Sequence, residues 1–262
     1  MNLIDTGSHA AADRQVQLGL VWLSLVAVLC WLVLLVGALY TGAGAEFTSI
    51  AAAGVPAPAP YGAGQLLLVT ALWGGMSTAV MLPLAIRPTI LVARAARWHC
   101  APMPRLRTAL FVLGHMLPCA GFALLAALMQ WTLHDAGMLD DTMGVRYPGA
   151  LGLALVAAGI YQWLPAKHAC LAHCRAPLPG LLADWSDDPH DALRRGFGHA
   201  RTCMGSIWLL MLLPLAAGPV HPAPVAALLV LAPAEIRLAG GHWIASAGGL
   251  ALLAWGTWLL FP

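Results

Sequence analysis

The sequence predicts an all-α membrane protein, a transmembrane bundle of about seven helical spans. Hydrophobic residues make up 60% of the 262 positions, charged residues only 9%, and the mean hydropathy is +0.79. Because soluble globular chains carry roughly 25% charged residues, this composition excludes a soluble domain. The apolar residues form long continuous runs rather than a strict alternation, which indicates membrane-crossing helices.

Seven apolar runs are separated by polar or Pro- and Gly-rich segments. Residues 1–15 form a polar N-terminal segment, and residues 16–262 are expected to fold as one transmembrane domain. The sixth run is short and contains Pro233 and Glu235, so a re-entrant segment is an alternative that reduces the count to six. The predicted spans are Val16–Thr41, Gln65–Ile86, Thr108–Leu133, Tyr147–Leu164, a fifth that ends near Ala217, Ala223–Ile236 and His242–Leu260.

Run length and proline positions define the first three predicted spans. The first run is long enough to cross a bilayer with some tilt, and residues 42–64, rich in Ala, Pro and Gly, form an irregular loop. Pro83 and Pro88 are expected to end the second span, because proline removes a helical hydrogen bond. Residues 87–107 then form a basic loop, and Pro118 is expected to kink the third span.

The longest polar segment, at about residues 165–201, lies between the fourth and fifth spans. Within it, Ser186-Asp187-Asp188-Pro189 is typical of a helix start. It offers a capping side chain, acidic groups near the positive end of the helix dipole, and proline in the first turn. This helix is predicted to continue without a break into the fifth span. A tight turn at residues 218–222 leads to the sixth span.

The distribution of basic residues predicts the orientation. When seven spans alternate in direction, twelve of the thirteen Lys and Arg residues fall on one side, and Arg146 is the exception. Because basic residues mark cytoplasmic loops, the N-terminus is predicted to be cytoplasmic, in the inner membrane of a bacterium. The twelve residues are Arg14, Arg87, Arg94, Arg97, Arg105, Arg107, Lys167, Arg175, Arg194, Arg195, Arg201 and Arg237.

Soft metal ligands are concentrated where the fourth span leaves the membrane. Cys170 and Cys174 are four residues apart and share a helical face, with His173 beside them. His199 and Cys203 repeat that spacing at the foot of the fifth span. Thiolate and imidazole together favour Cu(I) or Zn, so these five residues are the predicted ligands. The alternative is that the Cys residues fill the core and the His residues cap helix ends.

Two further pairs lie within the spans. Met76 and Met81 on the second span are a weaker candidate for metal binding, as a relay position deeper in the bilayer. His115 and Cys119 on the third span again show the His-x-x-x-Cys spacing. Packing in the core is the more common role for such residues, and it is the expected one here.

Glu235 is expected to form a structural ion pair with Lys167 or with a cytoplasmic Arg, and proton or cation movement is the alternative. The sequence has no GxGxxG, Walker, GxSxG or HExxH motif, so nucleotide binding and hydrolytic catalysis have no support. Haem is not expected, because His115 is the only His well inside a span. The sequence has no basic patch with interleaved aromatic residues, so it does not indicate nucleic-acid binding. We therefore expect a protein that is not an enzyme.

Three segments carry a motif: Trp73-x-x-Met76-x-x-x-x-Met81-Leu82-Pro83, Tyr161-Gln162-x-x-Pro165-x-Lys167-x-x-Cys170-Leu171-x-His173-Cys174-Arg175-x-Pro177 and Gly198-His199-x-x-x-Cys203-x-Gly205-x-x-Trp208. Together they resemble a bacterial family of uncharacterised integral membrane proteins that are predicted to bind metal. The resemblance extends from the second helix to the sixth, where Glu235 is similar to an acidic residue of that family. It implies a polytopic inner-membrane protein with a metal site.

The sequence departs from this family at two places. Residues 77–80 interrupt the Met-rich run that members usually show in the second helix, and Ser206 and Ile207 stand where members often have further Cys. Two hypotheses therefore remain open. One is a membrane protein that binds a soft metal, preferably copper, at its cytoplasmic face for handling, delivery or export. The other is a non-enzymatic accessory subunit that packs against lipid and other membrane subunits.

Overall fold

The computed structural model describes residues 14–26, 28–29, 32, 63–139, 144–176, 186, 188–218, 222–238 and 240–261. These residues form eight α-helices and no β-strand, apart from a single bridge between Leu139 and Val145. The predicted all-α class is confirmed. The helices are α1 (residues 14–26), α2 (Ala63–Trp98), α3 (Pro104–Asp135), α4 (Pro148–Tyr161), α5 (Pro165–Arg175), α6 (Pro189–Ala217), α7 (Pro222–Arg237) and α8 (Gly241–Leu260).

Four of these helices are long and apolar enough to cross a membrane: Leu66–Trp98 in α2, all of α3, all of α6 and all of α8. Helices α4 and α5 form a fifth candidate if the pair, which is bent by 63°, is one broken span. Helix α7 has 16 residues, fewer than the roughly 20 that a straight span requires. The described residues thus show four or five candidate spans rather than seven. Residues 27, 30–31 and 33–41 of the predicted first span lie outside the described part.

The predicted loop at residues 87–107 is corrected by the structure. Helix α2 continues through Pro83 and Pro88 to Trp98, and α3 already begins at Pro104. Neighbouring helices can satisfy the backbone groups that such prolines free, which is why membrane helices tolerate them. The chain reverses in the short link between α2 and α3, where Cys100 and Met103 adopt positive φ angles of 49° and 52°.

The predicted fourth span is broken near its end. Helix α4 stops at Tyr161, Leu164 is extended with ψ 138°, and α5 starts at Pro165. The break follows from the sequence, because a proline disfavours the helical conformation of the residue before it. The segment predicted as polar, residues 165–201, therefore contains all of α5 and the first turns of α6, while residues 177–185 and 187 lie outside the described part.

The predicted start of the fifth span is confirmed. Asp188 is the N-cap of α6, and its carboxylate accepts a hydrogen bond of 2.9 Å from the backbone N–H of His190. Pro189 occupies the first helical position, where its missing N–H is not needed. As predicted, α6 then continues without a break to Ala217.

Helices α3 and α6 touch through their backbones. A Cβ atom at Gly114 would lie 2.1 Å from the carbonyl oxygen of Leu193, and one at Gly196 would lie 2.1 Å from that of Phe111. Only glycine permits so close an approach, as at many helix contacts in membranes. This crossing fixes the neighbouring turns of α3 and α6 against each other.

A second glycine contact joins α4 to α8. A Cβ at Gly159 would lie 2.9 Å from the carbonyl oxygen of Gly249, and one at Gly256 would lie 2.7 Å from that of Gly152. The glycines are seven residues apart on each helix, so they lie on one face of it. Helix α8 therefore packs lengthwise on α4.

Basic side chains gather at one end of the bundle, which we call the basic end. Arg107 at the start of α3 donates 3.0 Å to the carbonyl oxygen of Ser186, just before α6. Arg175 at the end of α5 donates to the carbonyl oxygen of Leu238, and Arg237 at the end of α7 donates to that of Pro83. The first two contacts join helix ends that are far apart in the sequence, and the third joins the end of α7 to the interior of α2.

Candidate metal centre

Three predicted thiol ligands meet where α5 packs on α6, near the basic end. Cys174 on α5 and Cys203 on α6 are buried in the same apolar cluster, the largest among the described residues, and they interact electrostatically. Cys170, one turn earlier on α5, is partly exposed. Its Sγ lies 3.0 Å from the position that a Cβ would take at Gly205 of α6. Cysteines from two separate helices therefore lie close together in the folded chain.

His199 is the imidazole next to this thiol cluster. Its Nε2 lies 3.4 Å from the Sγ of Cys203, one turn along α6, and the side chain is buried. Zinc shows metal–sulfur distances of about 2.3 Å and metal–nitrogen distances of about 2.0 Å. A separation of 3.4 Å is therefore one that a single ion can bridge.

His173 lies farther out. Its side chain is exposed on α5, although it is close enough to interact electrostatically with His199. Of the two imidazoles predicted to complete the site, His199 is the one adjacent to buried sulfur. The predicted ligands thus become steadily less exposed from His173 through Cys170 to Cys174 and Cys203.

The two predicted Met residues are separated by the fold. Met81 is fully buried in the same apolar cluster as Cys174 and Cys203. Met76 belongs to a different cluster, where it packs with Trp73. Five residues turn a helix by about 140° beyond one full revolution, so the two side chains point to different neighbours. The structure therefore does not bring Met76 and Met81 together into one relay position.

His115 and Cys119 of α3 join the cluster, although the sequence favoured a packing role for them. The imidazole ring of His115 lies 5.6 Å from that of His199, measured between centroids. Cys119 packs in the cluster with Cys203 and interacts with it electrostatically. The sequence feature that could have indicated this proximity is the His-x-x-x-Cys spacing, which α3 and α6 share. The glycine crossing of the two helices decides which of their faces meet.

Throughout the described residues, no three His, Cys, Asp or Glu side chains surround a common point in a metal-binding arrangement. A structural zinc site needs four such ligands, and that set is not preformed. The close pairs are thiol with thiol, and thiol with imidazole. Soft sulfur donors select Cu(I), which can be held by few ligands, so the donor set fits copper better than zinc.

A buried ion pair fixes α5 against α7. Lys167 Nζ donates 2.7 Å to Glu235 Oε2, and it also donates to Gln162. Both charged side chains are at most 1% exposed, so the predicted structural ion pair is confirmed, with Lys167 as the partner. Lys167 and Cys174 are seven residues apart and share the buried face of α5. The pair therefore holds α5 in the rotation that directs Cys174 toward α6.

A protein-family model described as PpoB2, copper chaperone, matches residues 70–259. That range covers most of the chain, from the second turn of α2 to the end of α8, and contains every side chain of the metal centre. Searches of curated proteins and of solved structures found no match.

Proposed function

The chain belongs to the PpoB2 family of copper chaperones, and from this membership we propose that it is a membrane-embedded protein that binds and passes on Cu(I). Cys170, Cys174 and Cys203 are the proposed thiolate ligands, with His199 as the imidazole. The observation that carries the proposal is the burial of Cys174 and Cys203 in one cluster, since it brings thiols from two helices together as soft donors.

The gradient of exposure supports capture from the aqueous side. His173 is exposed, Cys170 is partly exposed, and Cys174 and Cys203 are buried. An ion taken up at the surface would move inward by ligand exchange, each new sulfur losing its proton as it binds. The proposed role is therefore binding and transfer of an ion, with no covalent change to a substrate and no nucleotide or nucleic acid partner.

We further propose that the protein crosses the bacterial inner membrane seven times, with a cytoplasmic N-terminus and the metal centre at the cytoplasmic face. The four long apolar helices and the bent α4–α5 pair support a multi-span chain. Helix α7 and the first apolar run would supply the remaining two crossings. The positive-inside rule supports the orientation, because the basic end carries the metal centre.

The test is the copper content of purified protein. We expect the triple variant Cys170→Ser, Cys174→Ser, Cys203→Ser to lose nearly all Cu(I) that the native protein retains against a competing Cu(I) chelator. The measurement is elemental analysis after anaerobic loading in detergent micelles. Cys100→Ser is the matched control, because Cys100 is exposed in the link between α2 and α3. Equal copper in the triple variant and the native protein would remove the proposal.

A further inference from the structure

We propose that His115 is a second imidazole ligand for copper, and that with His199 and Cys203 it forms an inner binding position beyond the surface thiols. This inference deepens the proposed function and rests on it. The position lies between α3 and α6, whereas the outer thiols lie between α5 and α6. Cys203 and His199 belong to both positions, so the ion changes partners at this pair.

The hydrogen bonding of His115 is that of a metal ligand whose metal-binding nitrogen has no partner. Nε2 lies 3.4 Å from the carbonyl oxygen of Met81, so the tautomer protonated at Nε2 can donate to that oxygen. Nδ1 is buried and has no hydrogen-bond partner. Metal-binding histidines almost always donate their other ring N–H to a carboxylate, carbonyl or water, which fixes the tautomer. His115 has that supporting bond, and its free lone pair is on Nδ1.

An unpartnered nitrogen at this depth calls for an explanation. Leaving a buried acceptor unpaired costs about 1–3 kcal/mol, and the large majority of buried polar atoms in native proteins have a partner. The side chain of His115 is fully buried, at 0% exposure. A bound ion would supply the missing partner and recover that energy.

The surroundings of His115 are soft donors. The ring of His199 is 5.6 Å away between centroids, and His199 Nε2 lies 3.4 Å from Cys203 Sγ. Cys119 follows His115 by one turn and packs in the cluster with Cys203. The backbone contact at Gly114 and Gly196 holds α3 and α6 close together beside these side chains.

The experiment compares His115→Gln with native protein by copper K-edge X-ray absorption and by competition with a Cu(I) chelator. Glutamine keeps an amide N–H where Nε2 donates to Met81, but it removes the nitrogen at Nδ1. We expect native protein to show sulfur and two imidazoles around copper, and the variant to show one imidazole. Affinity should fall by at least the roughly 10-fold that even outer-shell partners of a ligand contribute.

His134→Gln is the matched control. His134 is a buried histidine on the same helix, nineteen residues farther along. We expect this variant to keep the native absorption spectrum and the native copper affinity.

The outcomes separate the inner ligand from the proposed function. If the three Cys→Ser changes remove copper while His115→Gln keeps both imidazoles and native affinity, the inner position is overturned and the outer site stands. If none of these variants alters copper binding, the proposed function itself fails. Should His115→Gln not fold, the native spectrum alone decides, because sulfur with fewer than two imidazoles contradicts the inner position.

Discussion

At the scale of single residues, the buried pair of Lys167 and Glu235 contributes to position rather than to net stability. Removing two charges from water costs several kcal/mol for each ion, so a buried pair seldom exceeds a well-packed apolar pair in stability. Its value here is geometric, because the 2.7 Å contact joins α5 to α7. It fixes the rotation of the helix that carries Cys170 and Cys174.

Glu235→Gln should destabilise the protein by about 3–5 kcal/mol, since it leaves the charge of Lys167 buried without a counterion. The measurement is thermal or denaturant unfolding in detergent micelles. The control is Asp191→Asn, which breaks the more exposed pair of Asp191 and Arg195 on α6. That change should cost only about 0.3–0.5 kcal/mol. Similar losses for the two variants would contradict the presence of a buried charge on Lys167 that requires Glu235 as its counterion.

At the scale of helices, the metal centre depends on two contacts. The proline-induced break after α4 turns α5 by 63° and lays it against α6, which brings Cys174 to Cys203. The glycine crossing of α3 with α6 brings His115 to His199. Neither contact lies at the ligands themselves, so the site can be disturbed without changing any ligand.

Gly114→Ala should separate α3 from α6 and weaken copper binding, although it substitutes none of the proposed ligand residues. The added Cβ would overlap the backbone of Leu193 at 2.1 Å, and overpacking of this kind typically costs 1–3 kcal/mol. Gly121→Ala on the same helix is the control. Apart from the neighbouring backbone of α3 itself, nothing lies within 4 Å of its added Cβ, so we expect slightly raised stability, by roughly 0.5–1 kcal/mol. Copper affinity and unfolding are both measured, and native copper affinity in Gly114→Ala would argue against the crossing as a support of the site.

At the scale of the whole molecule, the surface is apolar around the sides and basic at one end. Large apolar side chains such as Trp22, Trp243 and Trp258 are 66–71% exposed, far more apolar surface than a soluble protein leaves to water. The apolar sides are compatible with contact with lipid, and the basic end is compatible with the cytoplasmic surface of the membrane. The proposed metal centre lies near that end, where the cell's copper would reach it.

The orientation can be tested with native Cys100, which is exposed in the link between α2 and α3. In a variant that retains Cys100 as its only cysteine, a membrane-impermeant maleimide should label inverted vesicles and leave right-side-out vesicles unlabelled. A variant with Met138→Cys as its only cysteine is the control, because Met138 is exposed in the link between α3 and α4. It should show the opposite pattern. Labelling of Cys100 from the outside would reverse the proposed topology.

The sequence by itself determined the class of the protein and the ends of its most strongly marked elements. Long apolar runs leave only helices as a way to satisfy the backbone in lipid, so composition was sufficient for the all-α class. The start of α6 at Asp188 was predictable because capping is local chemistry, which a few neighbouring side chains complete. An ion pair of Glu235 with Lys167 or an Arg was also predicted, since a buried charge requires a partner, and the structure shows Lys167.

Only the tertiary structure decided which ligands meet. Whether proline ends a helix depends on neighbours that satisfy the freed backbone, so α2 continued to Trp98 where the sequence predicted a loop. Met76 and Met81 pack in different clusters, and His115 packs beside His199. Residue spacing fixes a face of one helix but not the neighbour toward which that face turns. Backbone contacts between helices, such as that of Gly114 with Leu193, determine which faces meet and so bring residues from separate helices into one site.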